Sequence, residues 1–245
     1  MTAAQPRFKP LQAIEDGWAA FARAPWTFLL FQLLAGGIAL LFAQFAVAGG
    51  ALLAGVGDAP QPPTEEWVML LFGLVGYAIT TTWGIVGLVR GAHESLQGNR
   101  PAFATFTRFD GAVWALLWRW LVVGLALILI KVVFGVVGFG LYKIDALLAL
   151  IPLIIAIVMA VYLLVNQQFF LQITLFEKRN LMETIQRGSS LNDPRWWQML
   201  GFVVTLSMVN LLMGLLLIFT GFIVAIPVML CISTAAYLQV SDPLS

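Results

Sequence analysis

The chain has one histidine, His93, and one cysteine, Cys231, in 245 residues. A lone cysteine inside an apolar run cannot form an intrachain disulfide, and a single histidine cannot assemble a His/Cys metal site. Charge is also scarce: 10% of residues are Asp, Glu, Lys or Arg, against about 25% in a soluble domain. There is no HExxH, P-loop, nucleotide-binding glycine pattern, Ser/His/Asp set or spaced carboxylate pair within an apolar run. These absences argue against an enzyme acting alone and leave no residues for a catalytic, metal or cofactor site. A net charge of +1 points to no nucleic-acid partner.

What the chain has in excess is apolar sequence, 61% of it. Several runs reach the roughly 20 residues needed to cross a bilayer. They predict spans at about 26–51, 67–89, 117–139, 144–165, 197–218 and 222–238. The first run is far longer than the h-region of a signal peptide and reads as a retained span. The expected fold is an all-α integral membrane protein. Its six transmembrane helices form three hairpins in one membrane domain, 1–245, each hairpin preceded by a short amphipathic interfacial helix.

The polar segments carry that last expectation. Leu11, Ile14, Trp18 and Phe21 lie three and four apart, on one helical face. Phe103, Phe106 and Phe109 recur every three residues beside Arg100 and Arg108. In the stretch 175–202, Leu181, Ile185 and Ser189 fall on one side of a helix, with Glu183, Gln186 and Arg187 on the other. Span four is expected to run on through Asn166 and Gln168 into this stretch. Trp26, Trp118, Trp196 and Trp197 stand at span entries, as interface anchors do.

Lys and Arg set the orientation. Arg7, Lys9, Arg23, Arg90, Arg100, Arg108, Lys178, Arg179, Arg187 and Arg195 fall on one side, and Lys143 alone falls on the other. The expectation is a multi-pass protein of a bacterial-type inner membrane with both termini cytoplasmic. Residues 151–165 and 226–240 share the frame Ile-Pro, nine residues, Tyr-Leu-x-Val, with seven of fifteen positions identical. Pseudo-repeats follow at about 11–89, 100–165 and 178–240. All have the same orientation, unlike the inverted repeats of many transporters.

Candidate contacts with lipid or substrate are Lys131, Asp145, Lys178, Arg179, Arg187 and Arg195. Lys131 lies about 20 Å into its span from Trp118; it either marks a site or snorkels to the outer surface, with Asp145 as a local partner. Pro152 and Pro227 are candidate hinges or inherited packing kinks. Glycine pairs such as Gly73/Gly76 and Gly87/Gly91 mark either close helix approach or ordinary membrane composition. Gln32, Gln44, Thr80, Thr81, Thr82, Asn166, Gln167, Gln168, Gln172 and Asn210 suggest interhelical hydrogen bonds or a polar cavity.

Four stretches, GWAAFARAPWTFLL, RGAHESLQGNRPAFATF, ETIQRGSSLNDPRWWQMLGF and IPVMLCISTAAY, resemble a bacterial family of polytopic membrane proteins. The family includes YciC-like proteins and the membrane domain attached to some glycerophosphodiester phosphodiesterases. The resemblance spans nearly the whole chain. No counterpart of the phosphodiesterase domain lies in it, so that activity is not implied. The leading expectation is a non-enzymatic protein that organises membrane lipids or partner membrane proteins at the cytoplasmic face. The alternative is a small-molecule or lipid transporter with a cavity between the hairpins near Lys131, Pro152 and Pro227.

Overall fold

The computed structural model describes residues 8–55, 64–177, 179–216 and 221–241. The described residues form helices and their connections, without strands: α1 (Pro10–Arg23), α2 (Pro25–Gly55), α3 (Thr64–Leu96), α4 (Phe103–Thr107), α5 (Gly111–Tyr142), α6 (Leu150–Asn166), α7 (Phe170–Phe176), α8 (Leu181–Asn192), a 3-10 turn (Asp193–Arg195), α9 (Trp196–Leu216) and α10 (Gly221–Ser241). Six stretches are long and apolar enough to cross a bilayer: Pro25–Ala54, Thr64–Leu96, Gly111–Tyr142, Leu150–Phe176, Leu181–Met213 and Ile223–Ser241. The chain is an all-α, multi-pass membrane protein. It divides into two compact units, an N-terminal unit built on Lys9–Leu117 and Asn210–Gln239, and a central unit built on Trp118–Val209.

In the N-terminal unit, α2 and α3 form an antiparallel hairpin closed by glycine. A Cβ placed on Gly49 would stand 2.6 Å from the backbone nitrogen of Leu70, and one on Gly73 2.7 Å from the Cα of Ala46. Gly76 meets the ring of Phe42, Gly84 the methyl of Ala35, and Gly87 the ring of Phe31. The partners step down α2 as the glycines climb α3. Of the two readings of these glycines, close approach is the one the structure shows. In a bilayer, tight van der Waals packing rather than apolar burial holds helices together, and small residues permit it. Below the hairpin, Phe28, Phe31 and Phe106 are fully buried, with ring centroids 5.0 to 5.4 Å apart where they meet Phe106.

The central unit is packed differently. Beyond Leu116, no residue of α5 is buried, and most of α6 is exposed as well. Burial concentrates at the polar end, in Val165, Asn166, Phe169, Gln172, Ile173, Thr184, Leu191, Asn192, Met199 and Phe202. Span four does not continue as one helix. It stops at Asn166, turns through Gln167–Phe169, and resumes as the separate α7. The carbonyls freed by the stop need partners, and Asn192 supplies one: its Nδ2 donates to Val165 O at 3.1 Å and to Asn166 O at 3.0 Å.

Helices α1 and α8 both form, but each docks through a face that only partly matches its apolar periodicity. In α1 the buried residues are Ala13, Gly17, Ala20 and Phe21. Leu11 and Trp18 are 73% and 52% exposed. In α8 the buried face is Thr184, Gly188, Leu191 and Asn192, about 75° from the expected Leu181–Ile185–Ser189 stripe. The small residues permit the docking. Gly17 lies against the backbone of Ile232 in α10, and a Cβ on Gly188 would be 2.8 Å from Asn166 O. Phe21 and Leu191 are buried with them, whereas Leu11, Trp18 and Met182 face away from the protein, where lipid can cover them.

Candidate functional site at the connectors

Polar chemistry in the central unit gathers around α8. Asn180 and Glu183 form a capping box at its start: the Asn180 side chain accepts from the Glu183 N–H at 2.9 Å, and Glu183 Oε2 accepts from the Asn180 N–H at 3.2 Å. Arg119, at the polar end of α5, donates to the Thr184 hydroxyl at 3.2 Å and to the carbonyl of Arg179. Glu177 receives both Arg179 and Arg187, the latter at 3.2 Å. At the other end of α8, Asp193 Oδ1 accepts from Asn166 Nδ2 at 2.8 Å and from the Tyr162 hydroxyl at 3.2 Å. Gln167 Nε2 donates to Ile185 O at 3.2 Å. The Oδ1 atoms of Asn166 and Asn192 are buried and accept no hydrogen bond from the described residues. The result is a latch of amides and one carboxylate that fastens the broken span to the connector.

The N-terminal unit has a smaller connector site. Arg90 donates to Arg108 O at 2.9 Å and pairs with Asp110 at 2.6 Å. Arg108 reaches the other carboxylate oxygen at 3.2 Å. Desolvation works to raise the Asp110 pKa. The hydrogen bonds from Arg90 and the Ala112 N–H, together with the two guanidinium charges, overcome it and hold the carboxyl below its ordinary range. Trp83 Nε1 donates to Thr107 O at 3.1 Å. At the end of α1, Arg23 donates to Ser95 O at 2.5 Å and the Ser95 hydroxyl donates to Ala20 O at 2.6 Å. Of the three recurring phenylalanines, Phe106 is buried, whereas Phe103 and Phe109 are exposed. Phe109 stacks edge-on with exposed Trp114 at 5.8 Å. Arg100 and the 71%-exposed Arg108 side chain flank them.

The residues singled out from sequence are scattered. Arg179 and Arg187 share Glu177, Lys178 lies outside the described residues, and Arg195 closes the 3-10 turn. Lys131 is exposed on α5 and makes no ion pair among the described residues. Asp145 instead accepts from the N–H of Leu147 at 2.8 Å. Pro152 sits in the first turn of α6, where a missing N–H breaks no helical bond. Pro227 is interior to α10 and buried. Trp26, Trp118 and Trp197 are 67% to 79% exposed, while Trp196 is half-buried and stacks edge-on with Trp197 at 4.9 Å. A cavity of about 430 Å³ lies in the N-terminal unit among α2, α3 and α10, with Ile226 on its wall. Among the described residues, no three His, Cys, Asp or Glu side chains come together as metal ligands would.

Sequence reasoning missed Arg119, Glu177, Asn192 and Asp193. The Asn180-x-x-Glu183 capping box was a readable signal for where α8 starts. No family profile, curated protein or solved structure matches the chain.

Proposed function

We propose that this is a non-enzymatic membrane protein of a bacterial-type inner membrane that gathers anionic lipids, or partner membrane proteins, at its cytoplasmic connectors, with both termini on that side. One observation carries the reading: the connector before α5 exposes Phe103 and Phe109 with Arg100 and Arg108, and the first turn of α5 exposes Trp114 beside them. Aromatic rings insert at the headgroup level, and each nearby Lys or Arg adds about 1 kcal/mol of attraction to an anionic leaflet. Exposed Leu11 and Trp18 on α1 add a second apolar stripe suited to the same surface. The distribution of Lys and Arg supports the orientation, and the resemblance to YciC-like proteins is compatible with this role. Transport through Lys131 has less support, because that side chain lies on the exposed surface of α5 and not on the cavity among α2, α3 and α10.

Copurification tests the reading. The full chain, extracted from its native membrane, should carry anionic phospholipid above its bulk proportion, measured by mass spectrometry. Proteoliposomes containing it should hold solute gradients. Absence of any bound lipid or protein, with gradients dissipated, would overturn the reading in favour of transport.

A further inference from the structure

The groove among α2, α3 and α10 is independent of the connectors. Its volume of about 430 Å³ is in the range of small-molecule sites. Gln32, Gly36, Gly37, Tyr77, Thr80 and Thr81 line it, with aliphatic side chains completing the wall and no charged group among them. Two features separate it from a packing defect. A Cβ on Gly37 would meet nothing within 4 Å, and one on Gly36 would meet only the Gln32 amide at 3.9 Å. These glycines hollow the groove without serving helix contact, unlike Gly49 and Gly73. Second, the Thr81 hydroxyl is buried and has no hydrogen-bond partner among the described residues. Its neighbour Thr82 follows the usual helical habit, donating to Ala78 O at 2.7 Å.

Thr81 lies in the apolar part of α3, about 14 Å along the helix from Arg90 at 1.5 Å per residue. An unpartnered hydroxyl at that depth calls for a partner that arrives through the hydrocarbon. We propose that the groove seats a neutral lipid alcohol, one hydrocarbon chain bearing an uncharged hydroxyl, which exchanges hydrogen bonds with Thr81 and Gln32. A hydroxyl both donates and accepts, as those two side chains do. A carboxylate or phosphate would find no cation in the lining. A plain acyl chain would fill the volume and leave Thr81 unpaired.

The test uses the full chain in phosphatidylcholine nanodiscs with a long-chain primary alcohol carrying a photoactivatable diazirine. Adducts are mapped by mass spectrometry. The expected adducts fall within 32–40 and 77–88, and excess hexadecanol suppresses them about tenfold. Palmitate and hexadecane do not suppress them. Thr81→Val lowers labelling roughly fivefold, the scale of one hydrogen bond, and Thr81→Ser retains it. Gly37→Leu, whose side chain enters open space, removes it. If Gly37→Leu fails to fold, the Thr81 pair still decides. Three results would each overturn the assignment: adducts spread equally over the exposed face of α5, suppression by hexadecane as strong as by hexadecanol, or Thr81→Val labelling unchanged.

Discussion

The two units reach stability by different means. In the N-terminal unit the spans hold each other, glycine against backbone along the α2–α3 hairpin. In the central unit the span surfaces are largely exposed, and order is concentrated in the amide and carboxylate latch around α8. The same bilayer physics permits both. Lipid covers apolar surface as well as protein does, so burial alone does not drive spans together. Close backbone approach and buried hydrogen bonds do, and each unit relies chiefly on one of them.

The largest effect should come from glycine. Gly73→Val drives a side chain into the backbone of Ala46, and overpacking of this kind costs about 1–3 kcal/mol or more. Gly124→Val on α5 meets nothing within 4 Å and should leave the thermal midpoint in detergent nearly unchanged. Equal losses at the two positions would erase the distinction between the units.

Next is the latch. Asn192→Ala strips the side-chain donor from two buried carbonyls, at about 1–3 kcal/mol. Hydrogen exchange should quicken in 165–196 while α2 and α3 stay protected. Uniform quickening would mean the two units unfold as one.

Asp110 gives a smaller, pH-dependent effect. Its folded pKa is depressed, so its contribution is complete above the unfolded value near 4 and is lost as pH falls through the lower folded value. Wild type should therefore lose stability relative to Asp110→Asn as the pH drops below about 4. The difference should stay under roughly 1 kcal/mol, because the pair is partly exposed. Parallel curves for the two proteins would show that the carboxylate contributes nothing.

Smallest of all is Lys131→Leu. An exposed side chain on α5 without an ion pair among the described residues should change stability by less than about 0.5 kcal/mol when replaced, read from the melting midpoint. A large loss would point to a partner for Lys131 that the exposed face does not reveal.

The number and type of the spans were legible in the sequence, because a run of about 20 apolar residues matches the thickness of the bilayer and seldom occurs in a water-soluble fold. So were α1 and α8 as helices. Their docking faces were not. Of the apolar stripe in α1, Phe21 is buried, but Leu11 and Trp18 face outward, whereas Ala13 and Gly17 face the protein. In water, the larger apolar residues would mark the buried side. Beside a bilayer, small residues such as Ala13, Gly17 and Gly188 mark it as well. The break at Gln167 was also hidden, because the carbonyls it frees are satisfied by Asn192, more than twenty residues along the chain. In the connector sites, the arginines were visible as charge. Their sharing of Glu177 and Asp110 was not, since pairing depends on the fold.

Retention of anionic lipid by Arg100→Gln/Arg108→Gln tests the connector reading most directly. The variant and wild type would be reconstituted in nanodiscs containing phosphatidylglycerol and compared by native mass spectrometry. With about 1 kcal/mol per arginine, the double variant should hold anionic lipid roughly thirtyfold more weakly, with its melting midpoint little changed. Equal retention by the two proteins would contradict the proposed role of the connectors.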